Sequence, residues 1–110
     1  MPTATYKVLA QSAPAATTDT NIYTVAAATQ VVISTITVCN RAATATTYRI
    51  AIRPNAATLA NQHYITYDAA VPANDTISLT IGITIDAADV VTVYAGTANL
   101  SFNLFGTEIA

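Results

Sequence analysis

The 110-residue chain carries a formal net charge of −2, and only 9% of its residues are charged whereas 53% are hydrophobic. Its few cations form no basic cluster, which argues against a nucleic-acid partner, because such proteins neutralise phosphates with grouped Lys and Arg. No apolar run reaches the roughly 18 residues of a membrane span, and no secretion signal opens the sequence, so we expect no membrane partner. The length suits a single domain over residues 1–110. The cations are Lys7, Arg41, Arg49 and Arg53.

Alternation of apolar and polar residues predicts about eight short strands. In chain order they span 5–10, 21–25, 29–40, 46–54, 63–71, 76–85, 90–95 and 100–109. The segment 29–40 is apolar at both alternate sets of positions, which predicts a central strand with a neighbour on each side. The segment 55–62 fits either a helix of at most two turns or a loop.

Turn-forming residues separate the predicted strands, and most strands have one apolar face and one face of Thr, Ser or Asn. Such a series predicts an all-β fold with antiparallel pairing. The apolar faces are too many for one sheet to bury, so we expect two stacked sheets forming a β-sandwich. The pattern leaves jelly-roll and immunoglobulin-like topologies open.

The strictest alternation lies in the segment 76–85, which we expect to form one strand. Five aliphatic side chains are expected to fill the core from it: Ile77, Leu79, Ile81, Ile83 and Ile85. Asp86 and Asp89 follow directly. Their flanks are Ile, Ala and Val, so we expect a turn in which both carboxylates bond nearby backbone N–H groups. A catalytic carboxylate pair or a Ca²⁺ loop is the less favoured interpretation, because a Ca²⁺ loop needs more oxygen ligands.

The residues most often used in catalysis are scarce. Cys39 is the single cysteine, which excludes an intrachain disulfide, and we expect it to be a small buried residue on a strand. His63 is the single histidine, and without a second His or a Cys nearby we expect it at the surface or a cleft edge. No serine lies in a nucleophile-elbow pattern. The sequence therefore predicts no catalytic, metal-binding or cofactor-binding residue, and no cofactor.

Arg49 and Arg53 are four residues apart on a predicted strand, so they share one face at a separation of about 13 Å. Two interpretations of this face stay open. It is either a solvated outer face or a protein-contact surface, since Arg is enriched at interfaces and forms bidentate pairs with carboxylates. We take Arg49 and Arg53 as the candidate protein-contact residues.

Four stretches of the sequence form a recognisable set: IYTVAAATQVVISTITVCN, YRIAIRP, NQHYITYD and GITIDAADVVTVYAGTANLSFNLFGTEIA. From about residue 4 to Ala110 the chain resembles a family of small β-sandwich virion proteins of tailed bacteriophages. In that family a phrase ending V-C-N leads to R-I-A-x-R-P, and the chain closes with D-V-V-x-V-Y-A, N-[LV]-S-F and F-G-x-E-I. Ala27 departs from the family, in which a Pro often follows Y-T-V, and this departure affects a turn.

The resemblance implies a non-enzymatic capsid decoration, or cement, protein that binds the capsid exterior and stabilises the assembled shell. The implied partners are the major capsid protein and copies of the chain itself, with a homotrimer expected. The implied location is the capsid exterior of the virion, for a chain made in the host cytoplasm. Tail-associated proteins share the same phrases, so a tail or baseplate component is the alternative. A carbohydrate-binding module is a further alternative, because such modules present Trp or Tyr platforms and the chain has six Tyr.

Overall fold

Nine β-strands make up the protein in a computed structural model that describes residues 3–110. The strands are β1 (Ala4–Ser12), β2 (Thr20–Thr24), β3 (Gln30–Asn40), β4 (Thr46–Arg53), β5 (Tyr64–Val71), β6 (Thr76–Leu79), β7 (Ile83–Ile85), β8 (Val90–Ala95) and β9 (Leu100–Ile109). Two short 3₁₀ turns, Pro54–Ala56 and Asn61–His63, lie where the sequence fitted either a helix or a loop. Across the described part of the chain, no helix has the length and apolar character needed to cross a membrane.

The strands form two antiparallel sheets, which confirms the predicted β-sandwich. One sheet is five-stranded, with the order β1-β9-β3-β6 and with β7 also paired to β3; the other is four-stranded, with the order β2-β8-β4-β5. If β6 and β7 are counted as one interrupted strand, successive strands are distributed between the sheets as in a jelly roll of eight strands. This order resolves the choice that the sequence pattern left open.

The core lies between the sheets and is built from aliphatic side chains of both. Phe102 of β9 is fully buried, and its ring meets that of Tyr48 from β4 edge-on, with the ring centroids 6.4 Å apart. β3 lies between β9 and the β6–β7 pair, as expected for a central strand. Other side chains with no measurable exposure are Ile36, Val38, Ile50, Val71, Val91, Ala95, Leu100 and Leu104.

The segment 76–85 is interrupted, and the prediction of one continuous strand is wrong. Leu79 pairs with Ile36 and Ile83 pairs with Ile33, so four residue steps on this segment face three on β3. The extra residue forms a bulge at Gly82, whose φ of 62° lies in the left-handed region.

The bulge also changes which aliphatic side chains reach the core. Of the five predicted there, only Ile85 is buried, and Ile81 is 53% exposed because it lies at the bulge. The other three pack against the core from partly exposed positions: Ile77, Leu79 and Ile83. The sequence alternation is regular, but the backbone that carries it is not.

Two further bulges lie opposite neighbouring points of β9, one on each side of Phe105. The pairing of β1 with β9 shifts between Val8 and Ala10, and the pairing of β3 with β9 shifts between Ile33 and Thr35. In β3 the shift reverses which alternate set of side chains faces the core. Buried positions are Val31 and Ile33 before it and Ile36, Val38 and Asn40 after it. This reversal explains why 29–40 is apolar at both sets of positions.

Two single-residue predictions are wrong. Cys39 is partly exposed rather than buried, because it falls on the outward set of β3 beyond the bulge, opposite Ser101 of β9. His63 is buried rather than superficial, with a relative exposure of 9%. Its Nδ1 accepts a hydrogen bond of 3.0 Å from the backbone N–H of Ala60, so the imidazole closes a 3₁₀ turn.

Candidate protein-contact site

An arginine cluster lies on the outer face of the four-stranded sheet. Arg49 of β4 pairs with Tyr94 of β8 on one side. On the other side the β4–β5 pairing shifts, so that Arg49 faces both Tyr67 and Asp68 of β5. Asp68 has a φ of 51°, the left-handed conformation that a bulge of this kind requires. The bulge therefore presents two consecutive side chains of β5 to one arginine.

The Arg49 guanidinium is held by a carboxylate and two aromatic rings. Its Nε donates to Asp68 Oδ1 at 2.7 Å and its Nη2 to Asp68 Oδ2 at 3.3 Å, a bidentate pair. The guanidinium carbon Cζ lies 4.2 Å from the ring centroid of Tyr67 and 4.3 Å from that of Tyr94, both within cation–π range. The hydrogen bond to Asp68 raises the pKa of Arg49 above its ordinary value. The side chain is thus fixed in a single orientation.

The cluster remains accessible from solvent. The Arg49 side chain is 23% exposed and that of Asp68 is 45% exposed. Tyr67 is 58% exposed, and its ring meets that of Tyr64 edge-on at 4.9 Å. A partner approaching this face would meet ordered aromatic surface together with charged groups.

Arg53 lies on the same outer face as Arg49, as the spacing predicted, and pairs with Val90 of β8. Ala51 and Thr92 form the cross-strand pair between these positions, and they are only 1% and 3% exposed although they belong to the outer face. Their neighbours therefore cover them. The Nε of Arg53 is buried and has no hydrogen-bond partner among residues 3–110. A contact of either arginine with a protein partner stays a prediction.

Asp86 and Asp89 form the expected turn. The Asp89 N–H donates to the Asp86 carbonyl at 3.1 Å, and Ala88 has a φ of 68°. Asp86 Oδ1 accepts from the Ala87 N–H at 2.8 Å, Asp89 Oδ2 from the Asp86 N–H at 2.9 Å, and Asp89 Oδ1 from the Asn55 N–H at 2.8 Å. Within the residues that the structure describes, no three His, Cys, Asp or Glu side chains are grouped as metal ligands could be.

A second polar cluster joins the two sheets near the end of β9. The Tyr23 hydroxyl of β2 donates to Glu108 Oε2, and Lys7 Nζ of β1 donates to Glu108 Oε1 at 3.0 Å. These hydrogen bonds, that of Tyr23 above all, hold the pKa of Glu108 below its ordinary value. Burial, reinforced by the Glu108 carboxylate, raises the pKa of Tyr23.

Glu108→Gln is expected to lower stability at neutral pH and to remove part of the acid dependence. The native pKa of Glu108 is depressed, so its contribution is present above the ordinary value of 4.5 and is lost as the pH falls through the lower native value. The difference in urea midpoint between wild type and variant should therefore narrow below about pH 4.5. Asp19→Asn is the control, because it removes one exposed negative charge elsewhere. If the difference in urea midpoint from wild type narrowed equally for both variants, the acid dependence would come from net charge and not from the Glu108 cluster.

The sequence alone did not identify Tyr67, Asp68 and Tyr94 as partners of Arg49. Strand periodicity places Arg49 on an outer face, but the choice of neighbours depends on strand order and on the bulge in β5. The available signal was the concentration of tyrosines in predicted strands on either side of the arginine.

Comparisons of this chain with known proteins found no match to a family model, to a curated protein or to a solved structure.

Proposed function

We propose that this chain is a non-enzymatic structural protein of a tailed-phage virion, a cement protein that binds the capsid exterior and stabilises the shell. The resemblance to phage virion proteins over nearly the whole chain supports this assignment. The jelly-roll fold is compatible with it but is shared by lectin domains and cupins, so the fold carries little weight. The surface chemistry carries more.

The observation that carries the proposal is the ordered arginine cluster on the outer face of the four-stranded sheet. Tyr and Arg are enriched at protein interfaces and among the residues that dominate binding energy. Arg49 is already fixed by Asp68 and two rings, so binding a partner through this face orders few additional rotamers. A preorganised and partly exposed face of this kind suits docking onto a rigid protein surface.

Stabilisation of the shell would follow from mass action. A protein that binds assembled capsid subunits, but not dissociated ones, lowers the free energy of the assembled state alone. A rigid sandwich suits this role because it bridges neighbouring subunits without deforming. The major capsid protein is the proposed partner, and the homotrimer implied by the resemblance remains a prediction for copies bound at the threefold positions of the shell, not for the free chain.

The test of the location is a quantitative count in purified phage particles. Mass spectrometry should find the chain at hundreds of copies per particle, in a fixed ratio to the major capsid protein. A few to a few dozen copies would favour the tail or baseplate alternative. Absence from particles would contradict both assignments.

The test of the face uses particles that lack the protein and purified protein added back. Tyr67→Ser should weaken binding to the shell by tenfold or more while leaving the melting temperature nearly unchanged, because Tyr67 is largely exposed. Ile81→Ser is the matched control, since Ile81 is 53% exposed but lies in the other sheet's edge segment. If both variants bound the shell as tightly as wild type, this face would be ruled out as the contact surface.

A carbohydrate-binding module is the second candidate. Asn61, Tyr64 and Tyr67 line an open recess of about 480 Å³ on the edge of the same face. An exposed tyrosine ring beside an amide is a combination that can stack against a sugar and donate a hydrogen bond to it. Specific binding on a glycan array, abolished by Tyr67→Ser, would favour this candidate over the virion role.

A further inference from the structure

Along the outer edge of β1, backbone hydrogen-bonding groups have no partner strand among residues 3–110. Thr3 and Ala110 exchange both of their backbone N–H and C=O bonds, at 2.7 and 3.1 Å. Because such pairs alternate along an antiparallel ladder, the register makes Thr5 and Lys7 bond to β9. The N–H and C=O groups of Ala4, Tyr6 and Val8 therefore point away from the sheet.

This part of β1 projects from the sandwich. Every residue from Ala4 to Val8 is exposed, so both faces of the strand are open. Tyr6 is 83% exposed and Val8 is 47% exposed. Both belong to the set of residues whose backbone groups point away from the sheet, and their side chains share one face of the strand. Large apolar side chains beside a free strand edge form a typical template for pairing with another strand.

The other edge segments are protected against such pairing. β2 has five residues and a register shift, and β5 contains two shifts. The edge formed by β6 and β7 is divided by the bulge at Gly82. Bulges within an edge strand are a usual means by which proteins prevent edge-to-edge association, and the bulge of β1 lies beyond Val8.

The charge on β1 does not provide the same protection. Lys7 is paired with Glu108 at 3.0 Å, so its charge is balanced within the chain. Its side chain also projects to the face opposite that of Tyr6, because successive side chains of a strand alternate. The regular segment Ala4–Val8 thus contains neither a bulge nor an unbalanced charge that would oppose pairing with another strand.

We infer that Ala4–Val8 pairs antiparallel with the same segment of a second copy, about a two-fold axis at Tyr6. In this register Tyr6 faces Tyr6 of the second copy, and Ala4 faces Val8. Three such hydrogen-bonded pairs, with two bonds each, supply about six backbone hydrogen bonds. Lys7 faces Thr5, so no like charges are opposed, and the tyrosines form an aromatic cross-strand pair. The two five-stranded sheets then become one continuous sheet.

The second copy is favoured over another occupant because the segment is complementary to itself in charge and in hydrogen bonding. A five-residue edge buries less than the roughly 1,000 Å² typical of a stable interface. We therefore expect a weak dimer, with a dissociation constant between about 10 µM and 1 mM. The dimer does not depend on the proposed virion role.

Disulfide trapping tests the register. Hydrogen-bonded residue pairs have Cα atoms about 5.5 Å apart, within the range that a disulfide spans. Tyr6→Cys in a Cys39→Ser background should therefore form an interchain disulfide, as oxidised glutathione is reduced to two thiols and takes up the two electrons and two protons. Ile81→Cys in the same background is the control, because Ile81 is also exposed, at 53%, but lies away from β1. Cross-linking of Tyr6→Cys at the control's rate would overturn the inference.

Sedimentation equilibrium up to 1 mM tests the association without a cross-link. Wild type should show a monomer–dimer equilibrium, and Tyr6→Lys should weaken it at least tenfold, because two lysines would meet at the axis. Ile81→Lys should leave the equilibrium unchanged. A monomeric wild type, a trimer, or equal weakening by both substitutions would contradict two-fold pairing of β1.

Discussion

Gly106→Ala is expected to destabilise the protein by more than about 3 kcal/mol, at or beyond the upper end for overpacking substitutions. A Cβ at this position would lie 2.0 Å from the Val32 carbonyl oxygen and 3.0 Å from the Ile33 Cα. Both are backbone atoms of β3, so no rotamer change can relieve the clash and two central strands would have to separate. Small domains have only about 5–15 kcal/mol of stability in total, so this loss is a large fraction.

Gly82→Ala is the matched control. Gly82 has a φ of 62°, but an added Cβ would have no atom within 4 Å. Its cost is therefore confined to the left-handed backbone, at about 1–2 kcal/mol. Denaturant midpoints of the two variants separate steric clash from backbone strain. If Gly106→Ala were as stable as Gly82→Ala, the result would contradict the close packing of β9 against β3 at Gly106.

The strands could be predicted from the sequence because they depend on local periodicity. Alternation of apolar and polar residues marked most strands, and the doubly apolar segment 29–40 marked a central one. The bulges could not be predicted, because an extra residue is defined only against a partner strand. Ile81 shows the consequence, since it continues a perfect alternation and yet is exposed.

The candidate site, too, could be predicted from the sequence only in part. The shared face of Arg49 and Arg53 follows from the two-residue period of one strand. Their different environments do not, because they depend on cross-strand register. His63 was misplaced for a related reason: its burial depends on the 3₁₀ turn that its own Nδ1 closes.

Phe102→Ala is expected to cost about 3–5 kcal/mol, as truncation of a fully buried aromatic side chain usually does. Phe102 has no measurable exposure and contributes the edge-on contact with Tyr48 that links the two sheets. Truncation leaves a cavity bounded by both sheets, and rigid strands on either side limit how far it can collapse. The denaturant midpoint should fall sharply while the strand content of the folded state is retained.

Phe105→Ala provides the comparison, because Phe105 is the only other phenylalanine and lies three residues further along β9. Its side chain is partly exposed on the outer face, so the loss should be about 1 kcal/mol. The two variants remove the same atoms from the same strand and differ in the face from which they remove them. A similar loss in both would mean that β9 does not direct its even-numbered side chains into the core, and the register on which the Gly106 contact depends would then be wrong as well.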